Sequence, residues 1–229
     1  MNNLQLLEKK IKVSFKNKKL LSSALTHTSF LNENSVEYES YERLEFLGDA
    51  VLEFIVSKHI YEHFTDIQEG RLTEIRAALV RTETLAKCAQ KLHLGEYLFL
   101  SRGEEANGGR TNINILADTL EALLAAIYLE KGITASQAFF HVFIQGELDE
   151  ILEKRLYIDP KSQFQEHIQN KYKVTPTYKM LTEEITKTDT KFTMGLYILD
   201  RLVTTGVGKN KKIAEHNAAV NALGKLNEL

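Results

Sequence analysis

The stretch Tyr41–Phe54, YERLEFLGDAVLEF, sets Glu42, Glu45, Asp49 and Glu53 among Leu, Phe, Val and Ala. On a helix, Glu42, Glu45 and Asp49 stand at i, i+3 and i+7, within an arc of about 60° at roughly 100° per residue. Leu44, Leu47, Val51 and Ile55 take a separate face at core spacing. Like charges this close repel, so water or a cation must offset them. Three acids alone leave both readings open, a solvated acidic face or a metal site.

A second pair favours the metal. NILADTLEALLAAIYL holds Asp118 and Glu121 at i, i+3 in a run that is apolar on nearly every side. Such a helix must be largely buried, and a buried carboxylate is costly unless it is paired or coordinates a metal. No Lys or Arg lies between Arg110 and Lys131, so local salt bridging is absent. If the two acidic faces meet across a helical bundle, four or more carboxylates converge. Oxygen-only ligands favour a hard cation, Mg²⁺ or Mn²⁺, over zinc. Bundles build carboxylate metal sites from i, i+3 pairs on facing helices, and the di-iron version needs Glu-x-x-His pairs that are missing here. Mg²⁺ so held activates water for in-line attack on a phosphodiester and stabilises the leaving oxygen.

The elements that must position these acids are helices. Apolar periodicity predicts them at Asn3–Lys10, Lys18–Leu25, Tyr41–Phe64, Glu69–Leu92, Ile113–Leu129 and Thr134–Leu156, with no proline up to residue 157. Loops are expected at Asn32–Glu39 and Ser101–Arg110. Both prolines, Pro160 and Pro176, lie beyond a change of texture at Tyr157–Pro160. There a helix at Ser162–Lys171 precedes the strand-like TYKMLTEEI, KFTMGLYIL and RLVTTGVG, and a helix at Lys211–Leu226 closes the chain. That order, α-β-β-β-α, makes a small α+β unit with one helical layer on a three-stranded sheet.

Charge divides in the same place. Of 29 Lys+Arg and 31 Asp+Glu, residues 158–229 hold 11 and 8, a net of +3, and residues 1–157 hold 18 and 23, a net of −5. Such asymmetry signals a partner for the basic piece. The 229 residues are 43% hydrophobic and 26% charged, as in a soluble globular protein. No apolar run reaches the roughly 18 residues of a membrane span. The start, MNNLQLLEKKIKVSFKNKK, has no signal core with a cleavage site and reads as mature sequence. The lone Cys88 allows no internal disulfide, fits a reducing cytosol, and reads as core filler rather than a catalytic thiol.

ERLEFLGDAVL (Glu42–Leu52) resembles the signature of the ribonuclease III family. It is joined in family order by ALTHTSF (Ala24–Phe30), EGRLTEIRAALVR (Glu69–Arg81), GEEANGGR (Gly103–Arg110) and ILADTLEALLAAIYL (Ile115–Leu129). The C-terminal unit is similar to a double-stranded-RNA-binding domain, with that domain's KKxAE core at Lys211–Glu215. The resemblance implies a mainly α chain: an all-helical endonuclease domain, 1–157, then an α-β-β-β-α RNA-binding domain, 158–229. It implies that Glu45, Asp49, Asp118 and Glu121 bind catalytic Mg²⁺, Asp49 and Glu121 being directly catalytic. Glu42 and Glu69 match two further acids near the cleavage site and subunit interface, whereas Glu53 matches none. Phe46 matches an aromatic that inserts into a socket on a partner subunit, the alternative being packing in its own core.

The activity implied is Mg²⁺-dependent cutting of double-stranded RNA by a cytoplasmic homodimer, without organic cofactor or membrane. The products carry 5′-phosphate and 3′-hydroxyl ends with short 3′ overhangs, and the work is ribosomal-RNA and messenger-RNA processing. Such RNA-binding domains read duplex shape across about 16 base pairs. Ser162, Gln165 and Gln169 match minor-groove contacts, and Lys209, Lys211 and Lys212 phosphate contacts at a helix N-terminus. The chain departs from the pattern at Thr188, where a histidine is common, at Asn210, usually serine, and at Ala125, usually glycine. His27, inside ALTHTSF, reads as a hydrogen-bonded structural histidine rather than a ligand. Two rivals remain. A duplex-binding protein with a degenerate nuclease domain is disfavoured by the six intact acids. A helical phosphohydrolase of small nucleotides is disfavoured by the appended basic domain.

Overall fold

The computed structural model describes residues 3–154, 157–185 and 190–226. The chain forms two compact units, Met1–Tyr157 and Ile158–Leu229.

The first unit is helical. Its elements are α1 (Asn3–Ile11), α2 (Lys18–Ala24), α3 (Thr28–Glu33), α4 (Glu42–His63), α5 (Glu69–Val80), α6 (Thr82–Lys91), α7 (Arg102–Ala106), α8 (Ile113–Lys131), α9 (Ile133–Phe143) and α10 (Gln145–Glu153). Short 3₁₀ turns lie at Leu94–Tyr97 and Gly109–Thr111. The periodicity over Glu69–Leu92 resolves into two helices, because Arg81 turns to extended backbone at the junction. The stretch after Gly132 also divides, at Ile144. α7 lies on ground expected to be loop, and α3, not foreseen as a helix, overlaps the other expected loop only at Asn32 and Glu33; each is opened by a local cap. His27 Nδ1 accepts from the Ser29 N–H, and Ser101 Oγ accepts from the Glu104 N–H.

α8 is apolar on almost every side and forms the centre, packed against α2, α4, α6 and α9. Asn112 caps its start through the Asn114 N–H. Val51, Leu52, Ile55, Val56 and Ile60 of α4 are buried in the same core, and Leu44 and Leu47 pack at its edge. Cys88 and Ala125 are fully buried, and burial above all pushes the Cys88 thiol up to about 12, which keeps it inert. Glu147, only 4% exposed, is held by Lys87 at 2.8 Å and by Lys91, which ties α10 to α6.

The second unit runs α11 (Pro160–Tyr172), β1 (Thr177–Ile185), β2 (Thr190–Ile198), β3 (Arg201–Gly208) and α12 (Lys211–Leu223). Asp159 caps α11 ahead of Pro160 at the first helical position. The sheet is antiparallel in the order β1-β2-β3, with Tyr178 opposite Leu196 and Leu196 opposite Thr204. Phe164, Ile168, Leu196, Ala218 and Ala222 make its core. Gly206 allows α12 to lie directly on β3, since a Cβ there would stand 2.1 Å from the Ala218 nitrogen. Asn210 caps α12 through the Ile213 N–H at 2.9 Å, so its departure from serine leaves the helix start intact. Thr188 lies outside the described residues.

Candidate functional site

The two acidic pairs sit where α4 and α8 touch. Gly48, midway between Glu45 and Asp49, lets the backbones meet: a Cβ on it would stand 2.0 Å from the Glu121 carbonyl oxygen. Glu45 and Asp49 thus lie beside Asp118 and Glu121, and the four charges act on one another. Burial first, then Asp49, Asp118 and Glu45, push the Glu121 carboxyl up to about 8. Burial and the charges of Asp118, Glu42 and Asp49 raise Glu45. Burial also raises Asp118, against the pull of His27 and of its own backbone N–H. Among the described residues no ion pair reaches any of the four.

Among the described residues no Lys or Arg pairs with these acids, and His27 offsets their repulsion only in part, at Asp118. With a pKa of about 8, Glu121 holds a proton at neutral pH in the metal-free chain, and a cation entering the site must displace it. Half-buried carboxylates without basic partners, all donating through oxygen, suit a hard divalent cation. Proximity stops short of a closed cage. Among the described residues no three His, Cys, Asp or Glu side chains stand in an arrangement that would grip a metal ion by themselves. Asp49 is exposed, so the site is open on that side.

The outer acids differ from each other. Glu42 is exposed, accepts from Ser40 Oγ at 2.9 Å and adds its charge to Glu45. Glu69 opens α5 and lines a groove of about 430 Å³ with Phe54, Tyr61 and Arg76. Phe46 is 81% exposed and so packs in no core of its own chain. Phe54 at 56% and Tyr61 at 75% exposure share its side of α4, within an arc of about 80°. Glu53 is exposed.

Two contributors escaped the residue-type reading. Tyr41, just before α4, is buried against the acids, and burial with the charges of Asp118, Glu45, Glu42 and Glu104 raises its phenol, leaving a neutral donor at the site. Gly48 left a signal, since a lone glycine in a helical pattern usually marks close packing. His27 is a helix cap, its Nδ1 also 2.8 Å from Ser29 Oγ.

In the second unit Ser162, Gln165 and Gln169 fall at i, i+3 and i+7 of α11. Ser162 and Gln165 are exposed, and Gln169 Nε2 donates to Thr175 Oγ1 at 3.1 Å. Lys209, Lys211 and Lys212 are exposed around the N-terminus of α12, and among the described residues none is in an ion pair.

Residues 17–148 match the family model described as ribonuclease-III-like, and residues 160–226 the double-stranded RNA binding motif. The chain is 41% identical over 223 residues to ribonuclease 3 of Roseiflexus sp. (strain RS-1), covering 96% of this chain and 94% of that protein. It is 41% identical over 218 residues to ribonuclease 3 of Enterococcus faecalis, covering 95% and 94%. The crystal structure of the nuclease domain of ribonuclease III from Campylobacter jejuni superposes with a TM-score of 0.59 at 41% identity, covering 64% of this chain and 97% of that one. A second structure of that domain, with the same TM-score of 0.59, is described for flexibility in a region involved in dimer formation.

Proposed function

The chain belongs to the ribonuclease III family, and from that premise we propose a homodimeric endoribonuclease that cuts double-stranded RNA at the α4–α8 acids with a divalent cation, Mg²⁺ first and Mn²⁺ in its place. The observation that carries this reading is the set of four carboxylates, Glu45, Asp49, Asp118 and Glu121, mutually close and without a basic partner among the described residues. Bound there, Mg²⁺ supplies an activated water and neutralises charge on the leaving oxygen.

The rest of the mechanism belongs to the chain. Glu45, Asp49, Asp118 and Glu121 would hold the cation, in competition with the proton that burial and the neighbouring acids favour on Glu121. Asp49 and Glu121 are the pair we assign to the reacting phosphate. Tyr41, its phenol raised by burial and the neighbouring acids, offers a neutral O–H at the buried edge of the site. Gly48 fixes the spacing of the two acidic helices. An acidic pocket repels the RNA backbone until its charge is neutralised, so cutting depends strictly on the cation.

Positioning the duplex falls to residues 158–229. Lys209, Lys211 and Lys212 meet phosphates, aided by the positive end of α12. Ser162, Gln165 and Gln169 face the minor groove, where A-form RNA shows its 2′-hydroxyls. Shape carries the recognition, so duplex is selected over single strand without a strong sequence code. Substrates of this kind include the duplex stems of ribosomal-RNA and messenger-RNA precursors.

The exposed Phe46 supports an isologous dimer along α4, with Glu42 and Glu69 near the seam. Two sites then cut opposite strands and leave short 3′ overhangs. Hydrolysis by water, rather than attack by the RNA's own 2′-hydroxyl, leaves 5′-phosphate and 3′-hydroxyl ends. The test is an end-labelled long RNA duplex beside a single-stranded control. Cutting of the duplex alone, into products that a 5′-phosphate-dependent exonuclease degrades, supports the reading. Equal cutting of both substrates, or cyclic-phosphate ends, sinks it.

A further inference from the structure

Away from the acids, α4 and α9 share a histidine cluster that the nuclease reaction does not use. His59 is 6% exposed. Its ring stacks on His63 with centroids 4.2 Å apart and planes 27° from parallel. His141 of α9 meets the His59 ring edge-on at 5.5 Å, and Phe140 does so at 5.4 Å. The three histidines line a cavity of about 50 Å³ with Lys58, Glu62 and Gln137. His59 lies ten residues beyond Asp49, about 15 Å along the helix at 1.5 Å per residue.

Hydrogen bonds fix the outer rings. His63 Nδ1 donates to the His59 carbonyl oxygen at 2.8 Å, and His141 Nδ1 donates to Gln145 Oε1 at 2.7 Å. These bonds hold the two outer rings in place on either side of His59. A neutral His59 packs well against these rings, whereas a proton on a ring only 6% exposed is costly without a partner. The rings stack rather than converge, and among the described residues no three such side chains are arranged to hold a metal.

We infer that His59, packed between His63 and His141, forms an acid-sensitive latch, which holds α9 against the C-terminal half of α4 while the buried ring is neutral and loosens it when that ring takes a proton. Burial first, then His63 and His141, hold His59 below its ordinary range, while Asp149 of α10 and Glu62 pull weakly the other way. Glu62 is itself paired with Lys58 at 3.0 Å, so Asp149 is the acid left to offset a charged ring. The sign follows from proton linkage. His59 in the unfolded chain takes its proton near pH 6.5, above the folded value, so the contribution is whole above about 6.5 and is lost as pH falls.

The experiment is amide hydrogen exchange on the full chain at pH 7.5 and 5.5, corrected for intrinsic rates, for wild type and for the double variant His63→Gln, His141→Gln. Both substituted residues are exposed, so the variant keeps its core. In wild type, protection of the amides in Ile133–Phe143 falls at least tenfold between the two pH values, and in the double variant, where the burial of His59 remains, the fall is about half as large on a logarithmic scale. An undiminished fall in the variant, or none in wild type, overturns the latch. Stoichiometric Zn²⁺ binding at pH 7.5 that is lost in the variant also overturns it, by making the cluster a metal site.

Discussion

Gly48 and Glu121 are in backbone contact: a Cβ on Gly48 would lie 2.0 Å from the Glu121 carbonyl oxygen. One missing methyl group therefore sets how near the acids of α4 come to those of α8. Gly48→Ala forces the helices apart at a cost of about 1–3 kcal/mol, more than the roughly 0.5–1 kcal/mol that alanine gains in a helix. Urea unfolding checks this against Gly70→Ala on α5, where nothing lies within 4 Å of a new Cβ and stability holds or rises. Gly48→Ala is also expected to weaken Mg²⁺ binding, because it moves Glu45 and Asp49 away from Asp118 and Glu121; titration with Mg²⁺ checks it.

The raised pKa of Glu121 gives a pH dependence with a definite sign. Its folded value, about 8, exceeds the ordinary value of 4.5, so the folded chain binds more protons between those limits. Metal-free stability therefore falls as pH rises from about 4.5 to about 8. Thermal unfolding in EDTA across that range shows the decline in wild type and a flatter curve in Glu121→Gln. Added Mg²⁺ restores wild type most at the alkaline end, where the carboxyl is already ionised.

Phe46 is 81% exposed in the single chain, and the proposed dimer would cover it with a second copy. Phe46→Glu gives a folded monomer by sedimentation and circular dichroism, with cutting of both strands at one position lost. A variant that still sediments as a dimer places the interface elsewhere.

Lys211 and Lys212 flank the capped start of α12 without ion-pair partners among the described residues. Replacing both by Ala leaves the melting temperature unchanged and weakens duplex binding uniformly across sequences. The slope of log affinity against log salt drops by about one for each lysine removed. An unchanged slope puts the phosphate contacts on another face.

Much of the fold was legible because local and tertiary preferences agreed. Alternation predicted β1 at Thr177–Ile185 and β3 at Arg201–Gly208, and the structure has them there. What failed was local as well. Glu69–Leu92 reads as one apolar period, yet the backbone turns extended at Arg81, which no Gly or Pro announces. α3 and α7 are too short for periodicity to find and depend on the His27 and Ser101 caps. At the site, residue type and spacing exposed the acids, and the run around Asp118 exposed their burial. The Tyr41 phenol stayed hidden, since a tyrosine before a helix has many uses and only packing aims it at carboxylates. Phe46 was ambiguous for the same reason, because periodicity cannot tell a core aromatic from one turned outward.

In the proposed reaction the α4–α8 carboxylates cut duplex RNA through a divalent cation. The most direct measurement incubates wild type and Glu121→Gln with a long RNA duplex in Mg²⁺, in Ca²⁺ and in EDTA, following cleavage and binding together. Cutting is expected only by wild type in Mg²⁺, with duplex still bound by the variant and by both proteins in Ca²⁺. Cutting that survives EDTA or Glu121→Gln would contradict it, as would tight duplex binding without cutting under any metal.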